Sequence, residues 1–150
     1  MPSTEDWLRD LEELRALVQR YSRAIDARDI DAVAELFDPE GTVDGVRGSS
    51  SVADYLSGLR QATPAGTSMH VLGDPLIELE PGADSGTIDT YAVVHQIGAQ
   101  GAGTHTMLGV RYLDEVVRVP HPESLRGRWV IRRRRTTLVW SRALPGGEPA

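Results

Sequence analysis

Few side chains in this sequence combine the right type and placement to move a proton. Asp26 stands in the segment Ile25-Asp26-Ala27. Upstream, Trp7, Leu11, Leu14, Val18, Tyr21 and Ile25 recur at three- and four-residue spacing and form one apolar helical stripe. On a helical wheel Asp26 falls roughly 100° from the centre of that stripe and roughly 140° from Tyr21. It is therefore a margin residue, either a solvated acid at the end of a helix or a carboxylate at the rim of an enclosed space. Tyr21 lies within the stripe, as a core aromatic whose hydroxyl can reach an edge. His70, in Ser68-Met69-His70-Val71-Leu72, and His105, in Thr104-His105-Thr106-Met107, sit among apolar or small neighbours in strand-like segments. A lone strand histidine is ordinarily structural; two of them with a margin carboxylate on a covering helix can converge. His95 reads as structural or supporting, and His121, between two prolines, as exposed. An imidazole near its ordinary pKa of about 6.5 can both take and return a proton. A carboxylate can fix its tautomer, and a tyrosine can hydrogen-bond a developing enolate. The same Asp26, His70 and His105 would also form a facial set for a metal, which stands as a rival.

Other motifs carry less. Arg132-Arg133-Arg134-Arg135 is basic, but strand alternation splits it between two faces. Cross-strand acids such as Asp89, Asp114 or Glu115 are the expected partners, on the outer surface. One arginine could instead reach a pocket mouth and hold an anionic group. No phosphate-binding loop, nucleophile elbow or His-Glu-x-x-His motif occurs.

Composition narrows the field further. The chain has 150 residues, no cysteine, 16 basic and 22 acidic residues and a net charge of −6. Thiolate catalysis, disulfide scaffolds and Cys-ligated metal are excluded. The acidic balance argues against nucleic acid as a partner. No apolar run approaches a membrane span and the N-terminal segment is acidic, so no membrane association and a cytoplasmic location are expected.

The elements that must position these residues follow from periodicity. A long helix capped near Ser3, a short helix capped by Asp29 and a third opened by Ser51 and Asp54 occupy the first part. Asp38-Pro39-Glu40-Gly41 reads as a turn, followed by a short strand at 42–46. Strand-like runs at 67–79 (interrupted at Gly73-Asp74-Pro75), 87–97, 104–119 and 128–139 are joined by Gly- or Pro-rich segments of hairpin length. The fold class is α+β: N-terminal helices on a strongly curved, mainly antiparallel sheet, a cone with a hollow interior. The domain is expected to span 1–142, with a flexible tail at 143–150.

The segment LRALVQRYSRAIDARDIDAVAELFDPEGTVD resembles the opening of SnoaL-like domains of the nuclear transport factor 2-like superfamily. MHVLGDPLIEL, GVRYLDEVVR and GRWVIRRRRTTLVW are similar to its later strands, so the likeness covers roughly residues 5–141. The superfamily hosts isomerases, dehydratases, cyclases, hydrolases and non-enzymatic binders. In site pattern the chain looks like scytalone dehydratase and bile-acid 7α-dehydratase: Asp26, His70 and His105 match the first, and Tyr21, five residues before Asp26, the second. Ile25 and Gly45 stand where scytalone dehydratase carries tyrosines, which argues against scytalone itself.

The resemblance implies a cofactor-free, metal-free lyase or isomerase acting on a hydrophobic polyketide-, terpenoid- or steroid-like molecule. Asp26, His70, His105 and Tyr21 would be catalytic, and Met69, Met107, Leu72 and Val18 would line the substrate pocket. Assembly as a homodimer or homotrimer is implied in the same way. The alternative is a binding or subunit-assembly domain that keeps the pocket without catalysis.

Overall fold

The computed structural model describes residues 1–62, 66–99, 101 and 103–145. Helix α1 (Thr4–Ala27) begins at Ser3, whose hydroxyl accepts the Asp6 N–H at 3.0 Å while the Asp6 carboxylate accepts the Ser3 N–H. Its apolar stripe buries Leu14, Leu17, Val18 and Tyr21, a gain of about 1.5–3 kcal/mol for each large side chain. It ends at Arg28, the sole non-glycine residue with positive φ (56°) among those described. Helix α2 (Ile30–Glu35) follows at once, with the Asp29 carboxylate accepting the Ala32 N–H at 3.0 Å.

Asp38-Pro39-Glu40-Gly41, expected as a turn, falls within strand β1 (Phe37–Gly45), as an irregular stretch whose residues have no register partner on the neighbouring strand. A register irregularity between Phe37 and Thr42 accommodates the proline. The Asp38 carboxylate accepts the Glu40 N–H at 3.0 Å and the Arg132 guanidinium at 2.9 Å. A hairpin leads to β2 (Gly48–Ser51), and the Ser51 hydroxyl caps α3 (Val52–Gln61). The remaining strands are β3 (Thr67–Leu72), β4 (Leu76–Glu78), β5 (Ser85–Ile97), β6 (Thr104–His121) and β7 (Ser124–Pro145).

All of them join one sheet in the order β2-β1-β7-β6-β5-β3, with β4 also on β5. Only β1 and β7 run parallel. The sheet is not closed. Its curvature comes from bulges: the β6–β7 ladder shifts register at Gly109/Val110, Glu115/Val116 and Val119/His121. Gly73-Asp74-Pro75 acts as expected, setting three residues opposite Thr90 and Tyr91 on β5. At the first bulge Gly109 lies under Trp140, where a Cβ would come within 2.1 Å of the indole nitrogen. Strand β7 also runs past the expected boundary of the tail. Residues 143–145 pair with Thr104–Thr106, and residues 146–150 lie outside the described ones.

A single core fills the space between the helices and the inner face of the sheet, with Leu14, Val33, Phe37, Val52, Ile88, Val116 and Ile131 at its centre. The start of α1 is tied down by buried Asp10, which accepts from Arg118 (2.6 Å), Arg126 (2.9 Å) and the Trp129 indole (3.2 Å). With that end fixed on the sheet, the direction of α1 carries its last turn over the opposite, open end. Among the described residues no helix is long and apolar enough to cross a membrane.

Candidate active site

Strand alternation sorts the predicted residues onto two faces of the sheet. On the edge strand β3, Ser68 and His70 point toward the last turn of α1, while Met69 and Val71 point outward and are exposed. Asp26, in that last turn, meets the inward pair. Its Oδ1 accepts from the Ser68 hydroxyl at 2.8 Å and lies 2.7 Å from His70 Nδ1; its Oδ2 accepts the His70 backbone N–H at 2.8 Å. One carboxylate thus satisfies a backbone donor of the free sheet edge and orients the imidazole beside it. The His70 side chain is 6 % exposed and that of Asp26 21 %. With Nδ1–H donated to the carboxylate, Nε2 carries the lone pair, and no described residue hydrogen-bonds it. The Tyr21 ring and the imidazole stand nearly perpendicular, with centroids 6.4 Å apart.

These groups line a cavity of about 520 Å³. Ile25, Ile30, Leu59, Val94, Leu108 and Val110 give it apolar walls, and Gln96 and Thr136 add polar points. Two further tyrosines enter it, Tyr55 from α3 and Tyr112 from β6. The Tyr21 and Tyr55 hydroxyls are 2.9 Å apart. Burial, reinforced by neighbouring Tyr21, pushes the hydroxyls of Tyr55 and Tyr112 well above the ordinary tyrosine range. Both therefore remain proton-bearing donors across neutral pH.

Beneath the tyrosines lies an ion pair that departs from the surface role expected for the arginine run. Arg132, Arg133 and Arg135 are exposed and pair with Asp38, Asp44 and Glu115. The bulge in β7 opposite Glu115/Val116 turns Arg134 inward. Arg134 and Asp114 are each 1 % exposed and joined by two bonds of 2.7 Å. The Arg134 guanidinium stacks 3.9 Å from the centroid of Tyr21 and 4.5 Å from that of Tyr112. Its Nη1 has no hydrogen-bond acceptor, and the aromatic faces stand in for one. Burial opposes the Arg134 charge, but Asp114 outweighs it and raises its pKa.

His105 is not part of this arrangement. It pairs with Ile97, so it shares the outer face with His95 and Met107, and its Nε2 lies 2.9 Å from His95 Nδ1. The two-histidine, one-carboxylate set is thus not assembled, and no cluster of three or more such ligands occurs among the described residues. Met69 and Met107 are likewise on the outer face, against the expectation that they line the pocket. Val18 is buried in the core and Leu72 packs against it; neither lines the cavity. Tyr55 and Tyr112 escaped the sequence reading. Val52, Tyr55, Leu56 and Leu59 follow a helical stripe, and Val110, Tyr112, Asp114 and Val116 an inward alternation, so both signals were present.

The model of the SnoaL-like domain matches residues 6–135. The chain belongs to that family. No curated protein matches it significantly. Among solved structures this SnoaL-like chain is similar to a type 2 hexachlorocyclohexane dehydrochlorinase (TM-score 0.83, 14 % identity, 99 % of this chain and 97 % of that one). The type 3 dehydrochlorinase from Novosphingobium barchaimii is comparable (0.82, 13 %, 99 % of each chain). So is a candidate scytalone dehydratase from Novosphingobium aromaticivorans (0.75, 17 %, 99 % of each). At such identities the likeness concerns the fold.

The buried pair under the tyrosines yields a stability prediction. Asp114→Ala leaves a guanidinium buried without its counter-ion and should cost about 3–5 kcal/mol. The double change Arg134→Met with Asp114→Leu should regain most of that. Urea unfolding midpoints decide the matter, and a single variant losing under about 1 kcal/mol would contradict a buried, charge-bearing Arg134.

Proposed function

We propose that this SnoaL-like protein is a cofactor-independent acid–base enzyme that eliminates a leaving group from, or isomerises, a hydrophobic small molecule. The observation that carries the reading is the Asp26–His70 pair, with an Nε2 that no described residue hydrogen-bonds, lining a cavity of mixed aliphatic and polar walls. His70 Nε2 takes a proton from a carbon of the bound substrate. In an elimination, the C–H electron pair becomes the new double bond while the bond to a leaving hydroxyl breaks with its pair on oxygen. The imidazolium, held by Asp26, then returns its proton to that oxygen, and water departs with His70 neutral again. In an isomerisation the same proton goes back to a different carbon. The Tyr21–Tyr55 hydroxyl pair is the group in the cavity suited to hydrogen-bond negative charge developing on a substrate oxygen. Dehydrochlorinase and dehydratase names among the structural neighbours agree with elimination as the reaction class. A polyketide-, terpenoid- or steroid-like skeleton suits the size and lining of the cavity.

On a substrate identified by screening hydrophobic ketols, His70→Gln and Asp26→Asn should each lower kcat at least about 100-fold with the far-UV spectrum unchanged. His105→Ala should stay within about twofold. Near-normal turnover by either of the first two variants would overturn the assignment and favour a binding domain that keeps the pocket.

Self-association belongs to the same reading. Met69, Val71, Tyr91, Val139 and Trp140 leave an apolar outer sheet face exposed. A homodimer or homotrimer assembled through that face should appear by light scattering, and Val71→Glu with Trp140→Glu should shift it to monomer. A strictly monomeric parent protein at tens of micromolar would contradict this.

A further inference from the structure

The polar groups at the cavity mouth carry information about the ligand that the proton-transfer pair does not. Arg28 and Arg47 both line the cavity, and both are exposed. Among the described residues neither pairs with an acid. Arg28 makes one long bond, 3.5 Å to the Ala62 carbonyl, and Arg47 none among the described residues. The acids close to them in sequence are occupied: Asp29 caps α2, Asp31 holds Arg60, and Asp44 holds Arg133 and Ser49. Arg111, Arg118 and Arg132 are matched with Asp89, Asp10 and Asp38, whereas Arg20, Arg23, Arg128 and Arg142 also lack an acid partner among the described residues but do not line the cavity. Arg28 and Arg47 are the two unmatched guanidinium groups that share this opening among the described residues.

Backbone conformation adds an independent observation. Arg28 occupies the left-handed position (φ 56°, ψ 30°) that ends α1, where glycine is favoured and a side chain costs about 1 kcal/mol. Arg47 sits at the tip of the β1–β2 hairpin, beside Val46, which is 63 % exposed. It lines both the main cavity and an adjoining recess of about 400 Å³ that shares Tyr21, Tyr55 and Tyr112. Among the described residues that line the cavity the only carboxylate is Asp26, which already accepts from Ser68 and His70. An entering anion thus meets positive charge at the rim and no uncommitted negative charge behind it.

We propose that the natural ligand is an anionic amphiphile: an apolar body that fills the cavity and a carboxylate or phosphate group held at the mouth between Arg28 and Arg47. The inference rests on the pocket described above and sharpens its substrate class. The planar guanidinium fork suits both anions.

Equilibrium binding of 2-naphthoate, 2-naphthyl phosphate and the neutral 2-acetylnaphthalene to the parent protein and to Arg28→Gln/Arg47→Gln tests it. At low ionic strength at least one anion should bind the parent about tenfold or more tightly than the ketone, and which anion is preferred tells carboxylate from phosphate. The preference should shrink to within about twofold in the double variant and fall with added salt, while affinity for the ketone stays unchanged. Equal binding of anion and ketone by the parent, a preference that survives the double substitution, or no binding of any probe would each overturn the proposal. Asp26→Asn, run in parallel, should keep the anion preference while losing turnover. Failure at the rim is thereby distinguished from failure of the proton-transfer reading.

Discussion

A single carboxylate joins the long first helix to the edge of the sheet beside the cavity. Asp26 accepts a hydroxyl, a backbone N–H and an imidazole N–H from the edge strand β3. An edge strand presents unpaired donors that must be met by solvent or by another element; here the last turn of α1 meets the one at His70. The same contact sets the tautomer of His70, so a structural requirement of the sheet edge and a chemical requirement of the imidazole are fulfilled together. Hydrogen bonds to a charged group are worth roughly 1.5–3 kcal/mol each, enough to favour one orientation of the ring.

The rest of the fold serves that meeting. Asp10, at the other end of α1, is gripped by Arg118, Arg126 and Trp129, which sets the direction of the helix across the sheet. Bulges along β6 and β7 curve the sheet so that its inner face and the helices diverge toward the open end instead of closing into solid core. The space that remains is walled by aliphatic side chains, floored by tyrosines and underlain by the Arg134–Asp114 pair. That cation lies beneath the ring of Tyr21, whose hydroxyl meets that of Tyr55.

Much of this was legible in the residues. The helix caps at Ser3, Asp29 and Ser51 are short-range chemistry, and they hold as read. The Asp26–His70 pairing followed from a margin carboxylate and a strand histidine, together with the family resemblance. His105 failed because its inward or outward sense depends on register relative to Ile97 and Val94, which no local pattern specifies. The Met69 and Met107 expectation failed for the same reason, one residue out of phase with the inner face. Arg134 was hidden by a different effect: a bulge at Arg132 changes the phase of β7, so simple alternation misassigns the run. Asp38–Gly41 has turn composition and forms the irregular stretch of β1 between Phe37 and Thr42, where four residues lie opposite Arg132 alone.

The protonation pattern of His70 is the most direct test of the account. Nitrogen-15 NMR of side-chain histidine resonances, with His70 assigned through His70→Gln, reports which ring nitrogen carries the proton when the imidazole is neutral. The account predicts a proton on Nδ1, shared with Asp26, and a bare Nε2 facing the cavity, with the pattern lost in Asp26→Asn. A neutral imidazole protonated on Nε2, or one indifferent to the Asp26 substitution, would contradict it.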